Sequence, residues 1–246
     1  MLQPLISHYL ISPPAIWGKL PGHADFVRSG VRHGESEAWQ SWLAEHAIVA
    51  PAAQDMAASL PAAFVLPPGT LICAPRRFVL GVIVLSADRA GRSHALLVYQ
   101  QAHPRWVRRH FQGQAAQPRD WLFWLARAVG RHLGAQAPGE IHTLARSVHA
   151  LWRLHAPDWR QLGHAAAAEP PDAKHARALA LLNRYAGPAS ADHAAQSLDG
   201  VRHLPWTDWP ERLSGACAQS AFWQQDAAGG FVNAATRLAD LWGTSG

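Results

Sequence analysis

The run Phe78-Val-Leu-Gly-Val-Ile-Val-Leu85 decides the fold of this 246-residue chain. Its eight residues are mostly β-branched or aromatic and show no alternation of polar and apolar side chains. A strand with one face in water alternates, whereas a strand covered on both faces is continuously apolar. We therefore predict a central strand here, covered on both faces.

The segments on either side of this run predict further strands. Ser86 to Ser93 is a polar turn, and Ala95-Leu-Leu-Val-Tyr99 predicts the partner strand of a hairpin. Upstream, Phe64 to Leu66 and Leu71 to Cys73 predict two short strands around a turn at Pro67 to Thr70. Strand pairing therefore organises the first half of the chain.

Helical periodicity appears on both sides of these strands. Trp39, Trp42 and Leu43 have the i, i+3, i+4 spacing of an amphipathic helix beginning at Glu35. The other helices are predicted at 121–133, 141–155, 172–185 and 231–242. Early strands, central helices and a late strand at Ser220 to Gln224 predict an α/β fold with a mixed sheet covered by helices.

The domain organisation predicted from the sequence is simple. Residues 1–14 are expected to form an extended N-terminal tail that ends at Pro13-Pro14. Residues 15–246 are expected to form a single α/β domain, which begins with a short strand at Ala15 to Trp17 and continues into an ordered loop at Gly18 to Gly34. No boundary within 15–246 indicates a second domain.

Composition excludes a disordered chain and does not favour a nucleic-acid binder. The sequence is 49% hydrophobic with twelve tryptophans, so it can bury a large core. Its net charge is +5, but the only lysines are Lys19 and Lys174, and the arginines are scattered along the chain. A nucleic-acid site usually concentrates charge on one face. Nucleic-acid binding is therefore only a third hypothesis, and we predict none.

The cysteines and the apolar segments favour a reduced compartment. Cys73 and Cys217 are too far apart and too few to form a disulfide framework or a metal-binding CxxC motif. The N-terminus lacks a basic region and a cleavage site, and no stretch reaches 18 apolar residues. We predict a cytoplasmic protein without membrane insertion.

Three patterns that suggest catalysis fail when their neighbours are considered. Gly18-Lys19 resembles a P-loop, but Pro13 and Leu20 replace the required glycine and hydroxyl residue. Gly34 to Ala38 nearly forms a nucleophile elbow around Ser36, yet no strand precedes it. The fifteen histidines form no HExxH motif. We therefore predict no enzyme activity, no cofactor and no metal.

Two segments concentrate unusual residues, and each allows two interpretations. They are Trp17-Gly-Lys-Leu-Pro-Gly-His-Ala-Asp-Phe-Val-Arg28 and Ser86-Ala-Asp-Arg-Ala-Gly-Arg92. In the structural interpretation, Asp88 and Arg92 brace a hairpin while Lys19 and Asp25 pair across a loop. In the functional one, the arginines and Lys19 form a recognition surface for an acidic or phosphorylated partner.

These segments resemble the TagF family of type VI secretion-associated proteins. The family's aromatic-Gly-Lys-Leu-Pro start and its Gly-Asp-Phe-Val-Arg run correspond to 17–21 and to 24–28, with Ala24 in place of the glycine. The helix face at Trp39, Trp42 and Leu43 and the Asp-Arg-x-Gly-Arg turn at 88–92 follow in the same order. Near the C-terminus, Phe222-Trp223 and Gly229-Gly230-Phe231 are similar more loosely.

The resemblance implies a three-layer α/β/α sandwich without enzymatic activity or cofactor. It also implies a post-translational repressor of type VI secretion assembly that binds a cytoplasmic forkhead-associated (Fha) scaffold protein. The residues expected to contact the partner are Trp17, Gly18, Lys19, Leu20, Pro21, Asp25, Phe26, Arg28, Asp88, Arg89, Gly91 and Arg92. The alternative is a small α/β hydrolase-like enzyme with its site at the strand ends near Asp88.

Overall fold

The computed structural model describes residues 10–46, 60–110, 121–134, 140–156, 171–186, 218–225 and 231–242. Within these ranges the strands are β1 (Ala15–Gly18), β2 (Val27–Ser29), β3 (Ala62–Leu66), β4 (Phe78–Ala87), β5 (Ser93–Ala102), β6 (Ala221–Gln225) and β7 (Phe231–Ala235). The helices are α1 (Glu35–Glu45), α2 (Pro104–His110), α3 (Trp121–Gly134), α4 (Ile141–His155), α5 (Pro171–Ala186) and α6 (Leu238–Trp242).

The strands form one antiparallel sheet in the order β2-β1-β5-β4-β3-β6-β7. Every described pairing is antiparallel, including the pairs β1–β5 and β3–β6 that are distant in sequence. The prediction of a mixed sheet is therefore wrong. Periodicity identifies strands but does not give their direction. Four of the pairs also join consecutive strands, and short connections favour antiparallel pairing.

The hairpin of β4 and β5 lies at the centre of the sheet, as predicted. Its register runs from Phe78 opposite Ala102 to Ala87 opposite Ser93. All of β4 except Ala87 is buried. Each of these strands pairs with a strand on both edges and is covered by apolar side chains on both faces, which explains the continuously apolar sequence.

Alternate strand residues enter two apolar clusters, one on each face of the sheet. Trp17 and Leu97 pack in the cluster that includes α1 and α6. Ile16 and Val98 pack in the cluster that includes α2, α3, α4 and α5. Strand β4 supplies residues to both clusters, so the fold is mixed α/β with helices packed against the sheet.

Three local predictions need correction. Leu71 to Cys73 lies in turns rather than in a strand. The segment 231–242 is strand β7 followed by a short helix, because the chain after Phe231 pairs with β6 instead of continuing helically. The loop predicted at 18–34 contains β2, which pairs with β1 through partners such as Trp17 and Arg28.

Residues 10–14 of the predicted tail are fastened to β5. Ser12 Oγ accepts a hydrogen bond from the amide of Gln101 at 2.9 Å. Gln100 Nε2 donates to the carbonyl oxygen of Ser12 at 2.6 Å, while its Oε1 accepts from Trp121 Nε1 at 2.7 Å. This buried polar chain links the start of the fold to α3. The rest of the predicted tail lies outside the described residues, and the division into tail and domain stays a prediction.

Among the helices in the described ranges, none combines the length and the apolar character needed to cross a membrane.

Gly81 of β4 lies close to the backbone of β5. An added Cβ would overlap the carbonyl oxygen of Val98 and would lie 2.8 Å from Cα of Tyr99. We expect Gly81→Ala to lower the free energy of unfolding by about 3 kcal/mol, measured by urea denaturation. Gly130→Ala is the matched control, since its Cβ meets only Pro61, at 3.4 Å. Equal losses in both variants would contradict this assignment.

His155 near the end of α4 makes stability depend on pH. Burial, assisted by Lys174, lowers the pKa of His155 from 6.5 to about 4, although the ring's bond to the Leu151 carbonyl opposes the shift. Because the folded pKa is below the unfolded one, this stability is complete above about pH 6.5 and falls away towards pH 4. The wild type should lose about 3 kcal/mol from this group over that window.

The variant His155→Phe should not show that loss when urea denaturation is repeated at each pH. His142→Gln changes an exposed histidine of the same helix and should keep the wild-type pH dependence. A wild-type slope in His155→Phe would show that another group causes the effect.

Candidate functional site

The turn after β4 is built around the carboxylate of Asp88. Oδ1 accepts hydrogen bonds from the amides of Ala90 at 2.9 Å and Arg92 at 3.0 Å. Oδ2 accepts from Arg92 Nε at 2.7 Å and from Lys19 Nζ at 3.0 Å. The Asp88 side chain is completely buried. Four donors therefore replace the water that this carboxylate would otherwise bind.

The backbone closes the same turn. The amide of Asp88 donates to the carbonyl oxygen of Arg92 at 3.1 Å, and the amide of Gly91 donates to that of Asp88 at 2.9 Å. Gly91 has φ 78°, a left-handed conformation that favours glycine. The spacing Asp-Arg-x-Gly-Arg therefore specifies both the carboxylate and the turn that it fills.

Lys19 and Arg92 bring two other segments to this carboxylate. Lys19 follows β1, and its side chain is 9% exposed, whereas the side chain of Arg92 is 63% exposed. Arg92 also donates from Nη2 to the carbonyl oxygen of Ala24 at 2.6 Å. Lys19, Asp88 and Arg92, called the Asp88 brace below, thus connect the exit of β1, the β4–β5 turn and the loop before β2.

The electrostatics of the brace keep Asp88 ionised. Desolvation acts to raise its pKa, but hydrogen bonds from the Arg92 amide, Lys19, the Arg92 side chain and the Ala90 amide outweigh it, so the pKa lies well below its usual range. The stabilisation is therefore present above the unfolded pKa of about 3.9 and is lost on acidification. Such a carboxylate is a weak proton acceptor, which disfavours Asp88 as a general base.

Aromatic rings cover the inner side of the brace. Phe26 stacks on Trp17 with ring centroids 5.4 Å apart and meets His94 edge-on at 4.7 Å. Lys19 Nζ lies 5.4 Å from the centre of the Phe26 ring, within cation–π range. Burial is the main cause that lowers the pKa of His94, and the nearby Lys19 charge adds to it. The aromatic residues of the segment from Trp17 to Arg28 therefore support Lys19.

His23 joins this region to the helices. Its carbonyl oxygen accepts from the amide of Arg89 at 2.8 Å, and its Nε2 accepts from the amide of Ile141 at 3.2 Å. Ile141 is the first residue of α4, and Glu140 before it makes no side-chain capping bond. The imidazole therefore satisfies a helix amide that needs an acceptor. Nothing in the sequence indicates this link, since 118 positions separate the two residues.

The structure divides the residues predicted to contact a partner into two groups. The buried ones are Trp17, Gly18, Lys19, Leu20 and Asp88. The exposed ones are Pro21, Asp25, Arg28, Arg89, Gly91 and Arg92, and Phe26 is half-buried. The two predicted segments are thus brought together, but only part of each is available to another molecule.

The structural interpretation of these segments made two predictions. The Asp88–Arg92 brace is confirmed, and the Lys19–Asp25 pair is wrong. Asp88 and Arg92 brace the hairpin as predicted. Lys19 pairs with Asp88 and not with Asp25. Asp25 is exposed, and its Oδ1 accepts from the adjacent amide of Phe26 at 2.7 Å. Asp25 stays in water while the lysine, at the end of a buried strand, reaches the buried carboxylate.

The segment dismissed as a nucleophile elbow contains a buried carboxylate. Glu35 Oε2 accepts from Tyr99 Oη and from the amide of Arg32, both at 2.8 Å, and Oε1 accepts from Gln101 Nε2 at 2.8 Å. These bonds fix the start of α1 to β5, at the end of the sheet remote from the Asp88 brace. A glutamate at a helix start usually predicts an exposed residue near the helix dipole, so the sequence does not indicate this role.

The described part of the chain contains no cluster of three or more His, Cys, Asp or Glu side chains able to hold a metal ion. Cys73 is a free, half-buried thiol. Burial, with the nearby Glu35 charge, raises the pKa of Cys73 to about 11, so the thiol is protonated near neutral pH. Cys217 lies outside the described residues.

A match to one protein family covers strands β1 to β5, helices α1 to α3 and most of α4. Residues 15–150 match the family model described as the TagF N-terminal domain, type VI secretion system-associated. No curated protein matches the chain. The crystal structure of PA0076 from Pseudomonas aeruginosa PAO1 is 19% identical, over 93% of this chain and 90% of that one, with a TM-score of 0.44.

Breaking the ion pair of the Asp88 brace should show coupling between its two charges. Lys19→Met leaves the buried Asp88 carboxylate with Arg92 as its remaining cation, and Asp88→Asn leaves the buried Lys19 ammonium group without a carboxylate, so each should destabilise the fold. Because both changes remove the same interaction, the double variant should lose less stability than the sum of the single losses. Urea denaturation of the three variants measures this difference. Arg92→Gln should cost less than either, and additive losses would contradict the pairing.

Proposed function

The chain belongs to the family of the type VI secretion system-associated TagF N-terminal domain, and we propose that it is a non-enzymatic cytoplasmic regulator of that system. It represses assembly of the secretion machine after translation by binding a forkhead-associated scaffold protein. The family supplies the link to secretion. The repression and the scaffold partner are proposals that go beyond the family match. Their support is the surface next to the Asp88 brace.

One observation carries this proposal: a buried ion-pair network holds an exposed turn that bears arginines. Arg89 is exposed and its guanidinium has no partner in the described part of the chain, while its backbone is fixed through His23. Arg28 and Asp25 are exposed on the neighbouring loop and strand. We call Asp25, Arg28, Arg89 and Arg92 the arginine surface.

A rigid surface with free guanidinium groups suits recognition of an acidic partner. Arginine forms bidentate bonds with carboxylate or phosphate groups, and a turn whose backbone is already ordered loses less entropy on binding. The brace keeps the backbone of the turn fixed before any partner arrives. The partner is therefore expected to present carboxylates or phosphate groups to Arg89 and Arg28.

The hydrolase alternative gains no support from the brace. Both oxygens of Asp88 are engaged by four donors, and the side chain has no exposed area.

We propose a three-layer α/β/α sandwich as the architecture that presents this surface. The support is the pair of apolar clusters, in which α1 and α6 share one cluster while α2, α3, α4 and α5 share the other. In such a sandwich the loops at the strand ends are left uncovered by the layers, which suits a binding role for the arginine surface.

The charge-reversal variants Arg89→Glu and Arg28→Glu test the proposal. The purified chain should capture a forkhead-associated scaffold from the cytoplasmic lysate of its own bacterium, identified by mass spectrometry. Each variant should weaken binding to that purified scaffold by about tenfold, because a favourable charge contact becomes repulsive. Binding should also weaken as salt is raised.

The control is Arg153→Glu, which reverses an exposed arginine on α4. It should bind as the wild type does, and all three variants should melt near the wild-type temperature. Capture of no scaffold by a folded bait would overturn the partner. Equal binding by all variants would leave the partner in place and move the contact away from the arginine surface.

A further inference from the structure

A cleft of about 210 Å³ lies between the last turn of α1, the start of β6 and the β7–α6 turn. Ala221 of β6 pairs with Val65 of β3. The next residue of β3, Leu66, pairs with Val79 near the start of β4. The Asp88 brace follows the other end of β4, ten residues or about 33 Å away. This cleft is therefore separate from the arginine surface and plays no part in the proposed function.

Two opposite charges line this cleft without neutralising each other. Glu45 comes from α1 and Arg237 from the turn before α6, and both residues are exposed. No ion pair joins them, and within the described ranges neither side chain has a hydrogen-bonding or charged partner. Two residues of opposite charge thus line one small cleft, and no described side chain neutralises either of them.

The rest of the lining supplies an apolar wall and further donors. Trp42 is 4% exposed, and its ring stacks on Phe222 with centroids 6.2 Å apart. Its Nε1 donates to no acceptor in the described structure. Ser220 and Thr236 add hydroxyl groups. An indole N–H without an acceptor indicates no ligand by itself, since other buried tryptophans share this feature. Trp42 differs in that it lines the same cleft as Arg237.

We propose that this cleft binds a small dipolar ion, a molecule with one carboxylate and one ammonium group, as in a free amino acid. The carboxylate is directed to Arg237 and the hydroxyls of Ser220 and Thr236, and the ammonium group to Glu45. A simple anion or a simple cation is attracted by one of the two charges and repelled by the other, whereas a ligand with both charges can be attracted by both, so the lining favours a ligand with both charges.

Thermal unfolding of the full chain tests this inference. Each of the protein amino acids is added at about 10 mM, and one at ten times its Kd should raise Tm by about 3 °C. Acetate and methylammonium, each with one of the two charges, should leave Tm unchanged. Isothermal titration then gives the Kd of any amino acid that stabilises the chain.

Variants identify the cleft as the site. Arg237→Gln and Glu45→Gln should each weaken binding at least tenfold, and Thr236→Val should weaken it less. Arg153→Gln and Glu37→Gln alter exposed charges elsewhere, the second on α1 itself, and should bind as the wild type does.

Three outcomes would overturn the inference. They are the absence of any stabilising amino acid, equal stabilisation by acetate, and binding that survives both Arg237→Gln and Glu45→Gln. Because the arginine surface is untouched in these variants, capture of the scaffold should persist in them. A failure here is therefore distinct from a failure of the proposed function.

Discussion

The assembly of this end of the sheet depends on the buried carboxylate of Asp88. A carboxylate removed from water must find donors, and Asp88 takes them from Lys19, from Arg92 and from two amides of its own turn. Those donors belong to segments that are distant in sequence. Satisfying one side chain therefore fixes the exit of β1, the β4–β5 turn and, through Ala24, the loop before β2.

The burial of Asp88 also separates the residues that hold the turn from the residues that are available to a partner. Lys19 and Asp88 are buried and use their charges on each other, whereas Arg89 uses only its backbone to hold the turn. Its side chain is left for another molecule. A motif that concentrates charged residues can therefore hold structural and recognition residues side by side, and burial distinguishes the two where residue type does not.

The sequence was informative wherever a local pattern is enough. The continuous apolar run of β4 predicted a strand covered on both faces, because no water-facing strand tolerates it. The spacing of Asp88 and Arg92 predicted the braced turn. Strand direction, the pairing of Lys19 and the strand at Phe231 depend on residues far apart in the chain, and a periodicity carries no information about them. Glu35 was missed for the same reason, since its donors come mainly from β5.

The bond between His23 and Ile141 has a consequence for modularity. The family match ends at residue 150, inside α4, so it includes both partners of this bond. A hybrid protein that joined the strands of this chain to the helices of a relative would separate an imidazole from the amide that it caps. Strands β1 to β5 and the beginning of α4 lie together in the matched region, and a cut between them would pass through one hydrogen-bonded structure.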